Sequence, residues 1–111
     1  MKKGEHQLTE LQLDILGVIW KNKRATVVEV VEGLAPRRIA RKTVATIMSR
    51  LEQHGILTHN VEGREYVYRA LVTRAQVRRS LLRSIIDRLF DGSAHALASF
   101  ALEEAGTKKH R

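Results

Sequence analysis

Arg41-Lys42-Thr43-Val44-Ala45-Thr46-Ile47-Met48-Ser49-Arg50-Leu51-Glu52-Gln53-His54-Gly55 carries two patterns at once. Val44, Ile47, Met48 and Leu51 recur at helical spacing and form one apolar stripe. Lys42, Thr43, Thr46, Ser49, Arg50 and Gln53 fall on the other faces. Gly55 predicts the stop, since a left-handed residue closes a helix and glycine takes that conformation without a steric penalty. A helix over about residues 41–54 is therefore expected, greasy on one side, cationic and hydroxyl-bearing on the other. Two β-prone runs follow at residues 56–60 and 65–70, flanking Val61-Glu62-Gly63-Arg64. That spacing predicts a hairpin with an arginine at its tip.

Upstream, two more helices are expected. Thr9 with Gln12, and Thr26 with Glu29, have the spacing of capping boxes. Leu13, Leu16 and Trp20 continue the first helix to about Lys21. Val27, Val30, Val31 and Leu34 give a short second one, which Pro36 must end because it forces its predecessor out of the helical region. Residues 37–41 form a basic connector. Downstream, Thr73 with Gln76 caps a fourth helix whose stripe holds Leu81, Leu82, Ile85, Ile86, Leu89 and Phe90. Asp91-Gly92-Ser93 breaks the chain. Ser93 caps a fifth helix to about Glu104, and residues 105–111 read as a frayed tail.

The predicted fold class is mainly α: a winged helix-turn-helix (three helices plus a β-hairpin wing) followed by C-terminal dimerisation helices. Residues 1–71 would form the DNA-binding domain and residues 72–111 the dimerisation region. In this order the third helix enters a DNA major groove. Lys42, Thr43 and Thr46 at its N-terminal end would lie next to base edges, where a threonine offers a hydroxyl and a methyl. Arg38, Arg41, Arg50 and Arg64 are placed for phosphates, which position a protein without specifying sequence.

The charge distribution agrees. The 111 residues hold 20 Lys+Arg against 12 Asp+Glu, a formal net charge of +8. The surplus sits mid-chain: residues 21–50 hold eight cations against two carboxylates, and residues 64–88 seven against two. A surplus of that kind favours a polyanion. There is no cysteine, which excludes a disulfide scaffold, a thiolate zinc site and a cysteine nucleophile. His6, His54, His59, His95 and His110 lack metal-ligand spacing, so no cofactor or metal is expected. Ser80, Ser84, Ser93 and Ser99 lack a base and an acid partner, and no glycine-rich phosphate loop is present, so no enzyme is expected. The longest uncharged run, residues 92–102, is too short to span a bilayer. Residues 2–3 precede polar residues rather than an apolar run, so no signal peptide is read and the expected address is the cytoplasm. The arginine-lined fourth helix has only Phe90 as an aromatic anchor, which suits a partner helix better than a membrane surface.

An ordered set of motifs resembles one family. Leu8-Thr9, Ile19-Trp20, Ala25-Thr26-Val27, Lys42-Thr43-Val44, Arg50-Leu51-Glu52, Gly55-Ile56-Leu57, Glu62-Gly63-Arg64-Glu65-Tyr66-Val67-Tyr68, Leu89-Phe90-Asp91-Gly92-Ser93 and Leu97 together look like the penicillinase-repressor family (BlaI/MecI/CopY). The resemblance implies a dimeric repressor of a palindromic operator in a resistance or homeostasis operon. It places the dimer interface on helices 4 and 5, at Leu81, Leu82, Ile85, Ile86, Leu89, Phe90, Leu97 and Phe100. It also implies a regulatory protease as a partner, cutting near Ser99-Phe100. The sequence departs from the family in three places. Ala40 stands where a helix-capping serine is common. The sequence stops soon after Glu104, where many members continue into a further acidic helix. The cysteine pairs of the copper-sensing branch are missing. The competing reading is a dimeric protein-interaction adaptor on the same scaffold, without specific DNA binding.

Overall fold

The structure, a computed structural model, describes residues 8–109. Helices α1 (Glu10–Asn22), α2 (Val27–Gly33) and α3 (Arg41–Gln53) precede an antiparallel hairpin of β1 (Leu57–Glu62) and β2 (Glu65–Ala70). Helices α4 (Arg74–Leu89) and α5 (Ala94–Lys109) follow. This is the mainly helical, winged architecture expected from the sequence.

Local chemistry starts the helices. In α1 the Gln12 amide donates to Thr9 Oγ1 at 3.2 Å, and the Thr9 amide donates to Gln12 Oε1 at 2.9 Å. Thr26 with Glu29 and Thr73 with Gln76 form the same reciprocal pair for α2 and α4. Each box satisfies two amides that the helix itself leaves open. Ser93 Oγ accepts from the Ala96 amide at 3.0 Å to begin α5. Ala40, at the N-cap of α3, makes no side-chain cap bond.

The chain divides into two compact units, one ending at Val77 and the other beginning at Arg78. The core of the first gathers Ile15, Leu16 and Ile19 from α1, Val30 from α2, and Val44, Met48 and Leu51 from α3, with Ile56 and Leu57 at the hairpin's start. All of these are essentially inaccessible to solvent. The apolar stripe of α3 is thus spent inward, which turns Lys42, Thr43 and Thr46 out. α1 and α2 pack closely enough that a Cβ on Gly33 would come within 2.6 Å of Val18 Cγ1. Trp20 Nε1 donates to the Val72 carbonyl at 3.0 Å, and the Arg74 guanidinium lies 4.9 Å from the indole centroid.

The hairpin is tighter than the sequence suggested. Its register runs from Leu57↔Ala70 to Glu62↔Glu65, leaving only Gly63-Arg64 as the turn. Gly63 has φ +64°, the first central position of the two-residue turns whose twist matches the strands. Ala25 adds a short third rung: its amide donates to the Tyr68 carbonyl at 3.0 Å, and the Tyr68 amide donates back at 2.9 Å.

In the second unit, Asp91 and Gly92 turn the chain at φ 51° and 83°. The Gly92 amide donates to the Ile86 carbonyl at 2.9 Å. The rings of Phe90 and Phe100 meet at 5.7 Å between centroids. α5 runs to Lys109 rather than ending near Glu104, so the expected frayed tail is helical as far as residue 109. One interior glycine, Gly106, costs only about 1 kcal/mol of helix propensity, and no proline follows to stop the helix.

Candidate nucleic-acid interface

Three segments of the first unit present cations to solvent. The connector supplies Arg38, the outer face of α3 supplies Arg41, Lys42 and Arg50, and the hairpin tip supplies Arg64. All five are exposed. None forms an ion pair among the described residues. Two neighbouring arginines are engaged instead. Arg24 holds Glu62 through both carboxylate oxygens at 2.8 and 2.9 Å. Arg37 pairs with Asp14 and reaches Glu10 at 3.8 Å. The contrast separates structural arginines from a cationic surface without internal counterions.

Thr43 and Thr46 lie three residues apart on α3 and are both exposed, so they are neighbours on one helix face. Thr46 Oγ1 donates to the Lys42 carbonyl at 3.0 Å. The Thr43 hydroxyl has no protein partner among the described residues. The arrangement offers short hydrogen-bonding groups flanked by cations, which is what a base-reading helix needs.

A part-buried cluster joins α3 to the wing. His59 Nδ1 on β1 lies 2.8 Å from both carboxylate oxygens of Glu52 on α3. The Tyr66 ring stacks on His59 at 4.0 Å, nearly parallel, and Tyr68 lies tilted at 5.3 Å. Burial first, then the Glu52 carboxylate and Tyr66, push the Tyr68 phenol above its ordinary value. Tyr68 therefore stays neutral and acts as a packing group. With the Arg24–Glu62 pair and the Ala25–Tyr68 rung, these contacts tie the wing to the rest of the unit. The sequence reading missed all three. Period-2 alternation places His59, Tyr66 and Tyr68 on one hairpin face and could have suggested the stacking. Nothing local marks Glu52 or Arg24.

Residues assigned to the dimer surface fall in the second unit. Leu82, Ile85, Leu89 and Phe100 are exposed, Leu89 by 73%. Leu81, Phe90 and Leu97 are half-buried. Ile86 is only 7% exposed, so it is already covered within a single chain. Leu102, at 73% exposure, extends the apolar surface and was not anticipated. Among the described residues no three His, Asp or Glu side chains gather as a metal site, and no helix is long and apolar enough to cross a membrane. His6 and His110 lie outside the described residues.

A helix-turn-helix, a wing and an exposed cationic face together make the architecture of a winged-helix transcriptional regulator. A family model described as Penicillinase repressor matches residues 8–110, and the chain belongs to that family. The penicillinase repressor of Bacillus licheniformis is 28% identical over 98 residues, covering 87% of this chain and 77% of that protein. A solution structure of the B. licheniformis BlaI monomeric form in complex with the blaP half-operator is 30% identical, with a TM-score of 0.57, over 68% of this chain and 93% of that one. BpsR of Bordetella bronchiseptica, at 22% identity and a TM-score of 0.56 over 90% of this chain and 80% of that one, shares the fold.

Proposed function

We propose that this protein is a dimeric, sequence-specific DNA-binding repressor of an operator with two-fold symmetry. The observation that carries the reading is the set of five exposed cations, Arg38, Arg41, Lys42, Arg50 and Arg64, without ion pairs among the described residues and beside Thr43 and Thr46. A relative with 30% identity is in complex with its half-operator, which supports the same use of the matched 68% of this chain. Lys42, Thr43 and Thr46 act at base edges, and the four arginines at phosphates. The functional division stands at 71/72, with α4 and α5 pairing two copies through Leu82, Ile85, Leu89 and Phe100. The protein works in the cytoplasm, where operators are, and needs no cofactor. A regulatory protease acting near Ser99-Phe100 would cut within α5, so the helix must open locally before cleavage.

Selection of bound sites from a random duplex pool tests the reading, followed by titration of the winning site in excess random DNA. A recurrent motif with two-fold symmetry is the expected result. Failure to enrich any motif would leave the cations serving solubility, as the adaptor reading holds.

A further inference from the structure

We infer that the Thr46 hydroxyl reads DNA only as a hydrogen-bond acceptor, and so selects a base that presents an exocyclic amine, adenine or cytosine, at its position. The inference rests on α3 being the reading helix, as proposed above. A threonine hydroxyl has one proton and two acceptor sites. In Thr46 that proton is committed to the Lys42 carbonyl at 3.0 Å, one helical turn back. Such back-bonding is a recognised option for threonine in a helix. What remains for a ligand is the oxygen's acceptor capacity and the γ-methyl. In the major groove adenine N6 and cytosine N4 donate, whereas guanine O6 and N7 and thymine O4 only accept. A guanine or thymine facing Thr46 would meet an acceptor with an acceptor, unless the back-bond broke.

Thr43 supplies the contrast within the same helix. Its hydroxyl proton has no protein acceptor among the described residues, so it can turn to donate or accept. Two threonines three residues apart thus differ in what they demand. Thr43 tolerates either polarity, and Thr46 requires a donor.

The test uses the full chain and the motif selected above. Thr46→Val keeps the side-chain shape and removes the hydroxyl. Affinities of wild type and Thr46→Val for all single base-pair variants locate the position that depends on the hydroxyl. Unchanged affinity for random DNA verifies that the variant is folded. The base there is then replaced by its analogue without the amine, unsubstituted purine for adenine or 2-pyrimidinone for cytosine. Wild type should weaken about three- to tenfold, the scale of one neutral hydrogen bond. Thr46→Val should not change, and Thr46→Ser should behave as wild type. A hydroxyl-dependent guanine or thymine, or indifference of the wild type to loss of the amine, overturns the inference while leaving α3 as the reading helix. A selected motif with no hydroxyl-dependent position overturns the inference and removes Thr46 from the base-reading set. If no motif is selected at all, the DNA-reading proposal itself has failed and this inference falls with it.

Discussion

Arg64 occupies the turn of a two-residue hairpin, exposed and outside any ion pair among the described residues. Folding makes no use of its charge, so Arg64→Ala should melt as the wild type does. In the proposed role it meets a phosphate. Its loss should then weaken binding to selected and random DNA alike and flatten the plot of log affinity against log salt by about one unit. Anisotropy titrations across a salt series measure this, and a loss confined to the selected site would make Arg64 a base reader. Arg64 was legible because a glycine turn between β-prone runs announces a tip. Arg24 was not. It looks equally free in the sequence, yet Glu62, 38 residues away, holds it with two hydrogen bonds. Local pattern reveals where a side chain stands on its own element, and says little about which distant carboxylate the fold will bring to it.

Helix beginnings show the same division. The boxes at Thr9, Thr26 and Thr73 were readable because cap and partner lie three residues apart. So was the missing cap at Ala40, whose backbone is already extended at φ −60° and ψ 140°. Ala40→Ser should therefore stabilise the protein by about 0.5–1 kcal/mol, raising Tm by a few degrees in calorimetry. No gain would mean that a serine there fails to reach the open amides of α3. The close approach of α1 and α2 was invisible in the sequence, since it depends on how two helices cross. Gly33→Ala would drive a methyl into the stiff Val18 side chain. Overpacking should outweigh the helix-propensity gain of alanine, for a net loss of about 1–2 kcal/mol. Denaturant midpoints would show it, and a stabilised variant would refute the tight crossing. The far end of α5 was misjudged because polar residues near a terminus resemble fraying, although nothing in residues 105–109 stops a helix.

Across the molecule, stability of the single chain and the proposed pairing of two chains would draw on different apolar residues. Leu82 and Leu89 are exposed at 44% and 73%, whereas Ile86 is covered. Leu82→Asp with Leu89→Asp should yield folded monomers, because burying each large side chain is worth about 1.5–3 kcal/mol only where a partner covers it. Ile86→Asp should destabilise the single chain instead, since it puts a charge where a side chain is covered. Sedimentation and circular dichroism separate the two outcomes, and a wild-type monomer at micromolar concentration would remove the dimer from the proposal. The proposed two-fold pairing would also set a ruler on the DNA. Half-site centres should lie about 10 bp apart or a multiple of it. Inserting about 5 bp turns one half-site to the opposite side of the duplex and should abolish tight binding in a gel-shift titration.

The wing is tethered at three places: the Ala25–Tyr68 rung, the Arg24–Glu62 pair and the Glu52–His59 contact. Tethered that way, α3 and the hairpin tip would, in the proposed role, be the jaws of a caliper set to one opening. A caliper gauges geometry before any base is read. B-form DNA offers a major groove wide enough for a helix, while duplex RNA has a deep, narrow one. An RNA duplex of the operator's own sequence should consequently fail to compete, being rejected by its dimensions with every base pair correct.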